Sequence, residues 1–224
     1  TIFAARDAIG VLKQRAASMW GIPLDDVEWH GGQAIATGDM HSNLPALTLK
    51  EIAAKSGRTG GPIAGHNEIV ADGAGMGFAS HICDVEVDPE TGRSQVVRYT
   101  VVQDAGKAIN PDYVEGQFQG AAAQGIGWAL NEEYIYGDDG RLQNAGFLDY
   151  RIPVCSDMPF IDTKILEVPN PNRPYGIRGV GETSIVPPLG AVGNAIADAT
   201  GVRMTHAPMS PPRVLSALDA RNAG

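Results

Sequence analysis

Phe78-Ala79-Ser80-His81-Ile82-Cys83-Asp84-Val85-Glu86-Val87 alternates apolar and polar side chains, the period of a strand with one buried face. Asp88-Pro89-Glu90-Thr91-Gly92 follows with turn-forming residues. Ser94-Gln95-Val96-Val97-Arg98-Tyr99-Thr100-Val101-Val102 then returns. The stretch predicts a long antiparallel pair, and the rest of the chain is read outward from it.

Downstream, Asn110-Pro111 opens a helical pattern reaching about Leu130 that carries Gly116, Gly120, Gly125 and Gly127. Each glycine costs a helix interior about 1 kcal/mol, so four in one helix point to something that approaches its backbone closely. A second hairpin is expected from Glu133–Tyr136 and Leu142-Gln143 around Gly137–Gly140, then a strand over 161–168. Residues 169–181 read as a loop rich in Pro, Asn and Gly. A small-residue helix is expected from about Pro188 to Ala199, and a last helix after Ser210-Pro211-Pro212, with Ser as N-cap and Pro in the first turn. Upstream, residues 2–20 form an amphipathic helix stopped by Gly21. Val27–Thr37 reads as a hairpin about Gly31-Gly32. Thr48-Leu49-Lys50-Glu51 has capping-box spacing and starts a short helix through Ala54, and Gly57 to Gly65 is expected to be loop. Hairpins and helices alternate without a βαβ rhythm, so the fold class is α+β, mostly antiparallel sheet with hairpins and packed helices. Residues 1–74 form a helix/hairpin portion and residues 75–224 a second portion.

The 224 residues suffice for one large domain or two small ones. A net charge of −9 offers nothing to a phosphate backbone or an anionic lipid surface, which excludes nucleic-acid binding and membrane docking as expectations. No apolar run reaches the roughly 18 residues of a membrane span. Cys83 and Cys155 are too few for a disulfide scaffold and are expected as free, buried thiols, which favours a cytoplasmic setting. The chain opens on Thr1 and enters a helical pattern at once, as a cut or processed chain would.

Two segments could carry chemistry. In Arg178-Gly179-Val180-Gly181-Glu182-Thr183-Ser184, a carboxylate among glycines is open to approach. With few polar neighbours such a carboxyl has a raised pKa and suits a general base. The bland reading puts Glu182 in the first turn of the next helix, stabilised by its dipole. In Gly116-Gln117-Phe118-Gln119-Gly120-Ala121-Ala122-Ala123-Gln124-Gly125-Ile126-Gly127, glutamine amides amid glycines suit a heterocycle or metal oxo ligands. Its bland reading is close helix packing through small residues. The segment is neither a phosphate loop nor a dinucleotide fingerprint. His30, His41, His66, His81 and His206 are scattered without metal-ligand spacing. His81 stands out only because it shares a strand face with Cys83. No Gly-x-Ser-x-Gly elbow announces a hydrolase.

Taken together and in order, Val101–Pro111, Val114-Glu115-Gly116-Gln117, Gln124-Gly125-Ile126-Gly127, Arg178–Glu182 with Pro187-Pro188, and Ser210-Pro211-Pro212-Arg213-Val214 resemble the C-terminal part of the molybdopterin-binding large subunit of the xanthine dehydrogenase/aldehyde oxidase family. The resemblance covers essentially the whole chain, most strongly residues 77–218. It implies Glu182 beside molybdenum as general base, with no metal ligand on this chain, and Gln124, Gly125, Gly127 and Gly181 at the pterin. It also implies that Glu182 takes the proton of a molybdenum-bound hydroxide that attacks an aldehyde or N-heterocycle, electrons leaving through iron–sulfur centres. Reductive members run the same site towards dehydroxylation. The family's large subunit is several-fold longer, and its Gly-Gln-Gly and Ala-Ser-x-Ser contacts are absent here. The resemblance therefore implies an upstream half as partner, iron–sulfur and possibly FAD modules elsewhere, a shared molybdopterin, and a chain inactive alone that dimerises or forms larger oligomers. The alternatives are a non-catalytic assembly module retaining the fold, and an unrelated small-molecule binding domain with a Gly-lined pocket.

Overall fold

The computed structural model describes residues 1–69, 73 and 75–223. The chain divides into two compact units, Thr1–Asp72 and Gly73–Gly224. The boundary expected between 74 and 75 meets Ala74, which lies outside the described residues, as does the last residue of the second portion.

In the first unit, α1 (Ile2–Trp20) buries Leu12, Ala16 and Ala17 and ends where Gly21 takes a left-handed φ of 70°. Strands β1 (Val27–His30) and β2 (Gln33–Ala36) pair antiparallel with His30 opposite Gln33. The two-residue turn between them needs positive φ at both positions, which Gly31 and Gly32 supply at 57° and 82°. A short β3 (Leu47–Thr48) joins the other edge of β2. Thr48 and Glu51 then complete the capping box at the start of α2 (Leu49–Ala54). The expected glycine loop begins instead with one helical turn, α3 (Ser56–Thr59), because its Gly60 can stop a turn at φ 121°. Val27, Ala34 and Ile52 close this core against α1.

In the second unit, β4 (Ala79–Val87) and β5 (Ser94–Asp104) form the predicted antiparallel pair, with a bulge between Asp84 and Val85. β6 (Ile161–Leu166) adds to β5 in parallel, the one strand pairing among the described residues that departs from antiparallel. The second hairpin is corrected: the segment makes a single bridge, Tyr136 to Leu142, and no strands. Gly137 N donates to Arg141 O and Gln143 N to Ile135 O around that bridge, and Asn144 then ends the ladder, accepting from Ile135 N at 2.9 Å and donating to Glu133 O at 2.6 Å. Against the sheet pack α4 (Pro111–Leu130), capped by Asn110, and α5 (Pro188–Thr200). In α6 (Pro211–Asn222) Ser210 occupies the cap position but makes no side-chain cap bond. Pro212 has removed one of the two donors it would serve, and the other, Arg213 N, goes to the Ser210 carbonyl at 2.9 Å.

Tyr99, Phe118, Ile126, Val192 and Ile196 are fully buried at the centre of this unit. Cys83 is half-buried and free as expected, whereas Cys155 is free but exposed. The turn Cys155–Asp157 that carries it buries no residue.

Candidate active site

The site grows from the C-terminal end of β5. Beyond Asp104 the chain turns at Gly106, whose φ of 62° and bridge to Ile177 bring residues 176–178 alongside. Arg178 N donates to Ala105 O at 3.1 Å and Lys107 N to Gly176 O at 3.0 Å. The Arg178 guanidinium pairs with Asp104 at 2.8 Å, the two side chains being only 14% and 8% exposed. Asp104 Oδ1 also accepts from Gly106 N at 2.8 Å and Val168 N at 3.0 Å, and Arg178 donates to Val168 O and Met76 O. A buried ion pair is tolerable only when such further hydrogen bonds satisfy it. Next to it Ser184 Oγ donates to Gln103 Oε1, and both residues are fully buried.

Between these anchors lies Gly179–Glu182. Glu182 is exposed and sits at the N-cap position of a 3-10 turn, Thr183–Ile185, without making a side-chain cap bond. It is therefore not in the first turn of α5, which begins at Pro188. Its carboxylate opens on a cleft of about 480 Å³ with Thr183, Val186 and Pro187 on the same side and Gly77, Phe78 and Ala79 at the start of β4 opposite. Phe78 and Val186, 60% and 75% exposed, give the cleft apolar walls, with Thr183 as the polar residue beside the acid.

α4 meets this loop through its glycines. A Cβ at Gly125 would stand 2.6 Å from Pro188, and one at Gly127 2.7 Å from Pro153. The Cα faces of both are thus occupied by the chain's own atoms. A Cβ at Gly181 would lie 4.0 Å from the amide nitrogen of Gln117. Gly116 and Gly120 have open space above them, and with exposed Tyr113, Gln117 and Gln124 they form one stripe at three- and four-residue spacing. The close-packing reading of the glutamine segment describes one face of the helix, and the glutamines Gln117 and Gln124 lie on another, exposed one. Gly125 lets the helix close on the 183–188 segment and Gly127 makes room for Glu132 and Pro153, while Gly116 and Gly120 leave an unobstructed surface flanked by amides. This surface suits a flat heterocycle, since a Cβ would fill the gaps and the amides can both donate and accept.

The scattered histidines bring no metal ligands together; among the described residues no group of three His, Cys, Asp or Glu could hold an ion. His81 and Cys83 do share the inward face of β4, where His81 Nδ1 lies 2.8 Å from the Tyr99 hydroxyl. Sequence reading singled out Glu182, Gly181 and Gln124 but not Gln117, Gln103 or the Asp104–Arg178 pair. For Gln117 a signal existed, its seven-residue spacing to Gln124. The other contacts join residues 74 or more positions apart and have no local signature.

A family model described as the molybdopterin cofactor-binding domain matches residues 1–159. The chain belongs to that family. The matched span includes the Gln117–Gln124 face of this molybdopterin-binding chain and stops short of Glu182. The gamma subunit of the 6-hydroxypseudooxynicotine dehydrogenase complex of Paenarthrobacter nicotinovorans is 37% identical over 144 residues, which cover 63% of this chain and 18% of that protein. A putative xanthine dehydrogenase molybdenum-binding subunit of Escherichia coli K12 is 32% identical over 174 residues, covering 76% of this chain and 23% of that one. The solved structure of quinoline 2-oxidoreductase from Pseudomonas putida 86 superposes with a TM-score of 0.77 at 29% identity over 95% of this chain and 28% of that one. The chain spans about a fifth of the length of the curated relatives it matches. Family membership, together with the packing of α4 on residues 181–188, removes the unrelated pocket domain from consideration.

Proposed function

We propose that this chain supplies the catalytic base and part of the cofactor cradle of a molybdenum hydroxylase that oxidises an aldehyde or N-heterocycle with oxygen from water. The observation that carries the reading is the exposed Glu182, which lines a cleft walled by Phe78, Val186 and Pro187 while both flanks of its loop are anchored in the core. Gln117 and Gln124 would hydrogen-bond the pterin across the gaps at Gly116 and Gly120, and Gly181 leaves room beside the Gln117 amide. Gly125 would serve the cofactor indirectly, by letting α4 close on the 183–188 segment, and Gly127 by letting the end of α4 pack on Pro153. When bound, the molybdenum cofactor supplies the two-electron redox chemistry and the acidification of water.

The chain's own contribution is the handling of one proton. Glu182 takes it from the attacking oxygen at its carboxylate, within hydrogen-bond reach of that oxygen. The remaining cofactor contacts would come from the rest of the large subunit. The electrons would leave through iron–sulfur and flavin modules on other domains or subunits.

The test is Glu182→Gln in the complete enzyme, read by molybdenum content and by turnover on aldehydes and N-heterocycles. The expected outcome is unchanged molybdenum and turnover reduced about a thousandfold or more. Normal turnover with full molybdenum overturns the assignment. Purification from the native host should bring molybdenum and pterin with this polypeptide and its partner subunits, identified by mass.

A further inference from the structure

The loop bearing Glu182 is held by two consecutive residues of one strand. Asp104 takes Arg178, four residues before the acid, and Gln103 takes Ser184, two residues after it. Neighbouring strand residues send their side chains to opposite faces, so the loop is straddled at the end of β5. Inside the loop Val180 packs against the core, whereas Gly179 has no neighbour within 4 Å of its missing side chain. A third restraint falls between: a side chain at Gly77 would come within 2.5 Å of Thr183, so the start of β4 lies directly against the residue after the acid.

The chemistry of Gln103 is the informative part. It is fully buried, and its amide oxygen is used by Ser184, yet its amide nitrogen has no hydrogen-bond partner among the described residues. A buried donor left unmet carries its full desolvation penalty. An apolar pair of the same size at these two positions would avoid that cost, so folding alone does not account for an amide here. What the amide secures is one thing, the placement of Ser184 and hence of the acid.

We infer that Gln103 and Ser184 are positioning residues that hold Glu182 in its working orientation. The inference rests on Glu182 being the base. Both act through Glu182 and touch neither substrate nor cofactor.

The experiment uses the complete enzyme with Ser184→Ala, Gln103→Met and Glu182→Gln, alone and with Ser184→Ala combined with Glu182→Gln. Misplacing a base by about 1 Å costs roughly a hundredfold. Ser184→Ala and Gln103→Met should therefore each lower kcat by about 10- to 100-fold. KM and molybdenum content should stay the same and the acid limb of the kcat–pH profile should shift. Hydrogen exchange in the peptide spanning 179–186 should quicken while that of β6 stays put. In the Glu182→Gln background, adding Ser184→Ala should cost nothing more, since both changes remove the same function. Should Gln103→Met fail to load molybdenum, Ser184→Ala decides alone. Unchanged kcat, pH profile or loop exchange in Ser184→Ala, with Glu182→Gln inactive, overturns the positioning role and leaves the base in place. An additive loss in the double variant also overturns it, as that is the mark of general destabilisation. Turnover surviving Glu182→Gln overturns both readings together.

Discussion

His81 and Cys83 share the buried face of β4 and respond to burial in opposite directions. Burial pushes the His81 imidazole down to about 4 and, with a lesser contribution from Asp84, pushes the Cys83 thiol up to about 12. Both are therefore held in their neutral forms at neutral pH. For His81 the sign is fixed by linkage. The unfolded chain protonates near pH 6.5 and the folded one only near pH 4, so between these values the unfolded state binds more protons. The stability His81 contributes is complete above pH 6.5 and falls as pH drops towards 4. His81→Gln, which can still bond the Tyr99 hydroxyl, should flatten the decline of Tm between pH 6.5 and 4; an equally steep decline would mean that other groups dominate acid unfolding. For Cys83 the consequence is chemical, since the thiolate is the reactive species. Iodoacetamide at pH 7.5, followed by peptide mass mapping, should label exposed Cys155 and spare Cys83, and rapid labelling at Cys83 would contradict its burial.

At the scale of elements, α4 divides its glycines between two tasks, and substitution separates them. Gly125→Ala places a methyl 2.6 Å from the Pro188 ring, which has no flexible end to move aside. It should destabilise the fold by about 1–3 kcal/mol, the usual cost of overpacking. Gly120→Ala meets open space and should raise helix stability by about 1 kcal/mol, while lowering the pterin content of the complete enzyme. Thermal melts and pterin fluorescence measure the two effects, and equal melts for the two variants would remove the distinction. The glycine spacing itself was legible in the sequence, as were the strand pair at 78–102, the Gly31-Gly32 turn and the Thr48 capping box. Each is specified by residues within a few positions of one another. The parallel addition of β6 to β5 was not legible, because register between segments about 60 residues apart depends on packing rather than local pattern. The shortened hairpin at 133–143 shows the converse: its turn forms and pairing starts at Tyr136 and Leu142, but Asn144 ends the ladder by capturing Ile135 N and Glu133 O. Around the site, the sequence pointed to the acid and the glutamine face through spacing, while the anchors Gln103 and Asp104 had the look of ordinary strand-end residues. Breaking the Asp104–Arg178 pair by Asp104→Leu leaves a buried guanidinium unpaired and should cost about 3–5 kcal/mol, measurable by denaturant unfolding.

Across the whole molecule, apolar exposure is uneven. Each unit has its own core, yet in the stretch from Tyr134 to Phe160 the side chains of Phe147 and Leu148 are 93% and 97% exposed and Phe160 is 78% exposed. Tyr134, Ile135, Tyr136, Ile152 and Val154 are also exposed there. The hairpin at the start of this stretch makes a single bridge, and Phe147, Leu148 and Phe160 lie beyond it in turns and irregular chain. Fully burying a side chain such as Phe or Leu is worth about 1.5–3 kcal/mol, so a surface carrying several of them gains by association. The isolated 224-residue chain should therefore dimerise or form larger species in a concentration-dependent way by light scattering. Phe147→Ser with Leu148→Ser should shift that equilibrium towards monomer without altering the melt, since neither side chain contributes to a core. A monodisperse monomer of the unmodified chain at high concentration would show that these side chains are accommodated in solution as they stand. Association unchanged by the double substitution would place the contact on another surface, and the exposed Phe78 and Val186 at the mouth of the Glu182 cleft would be the next to substitute.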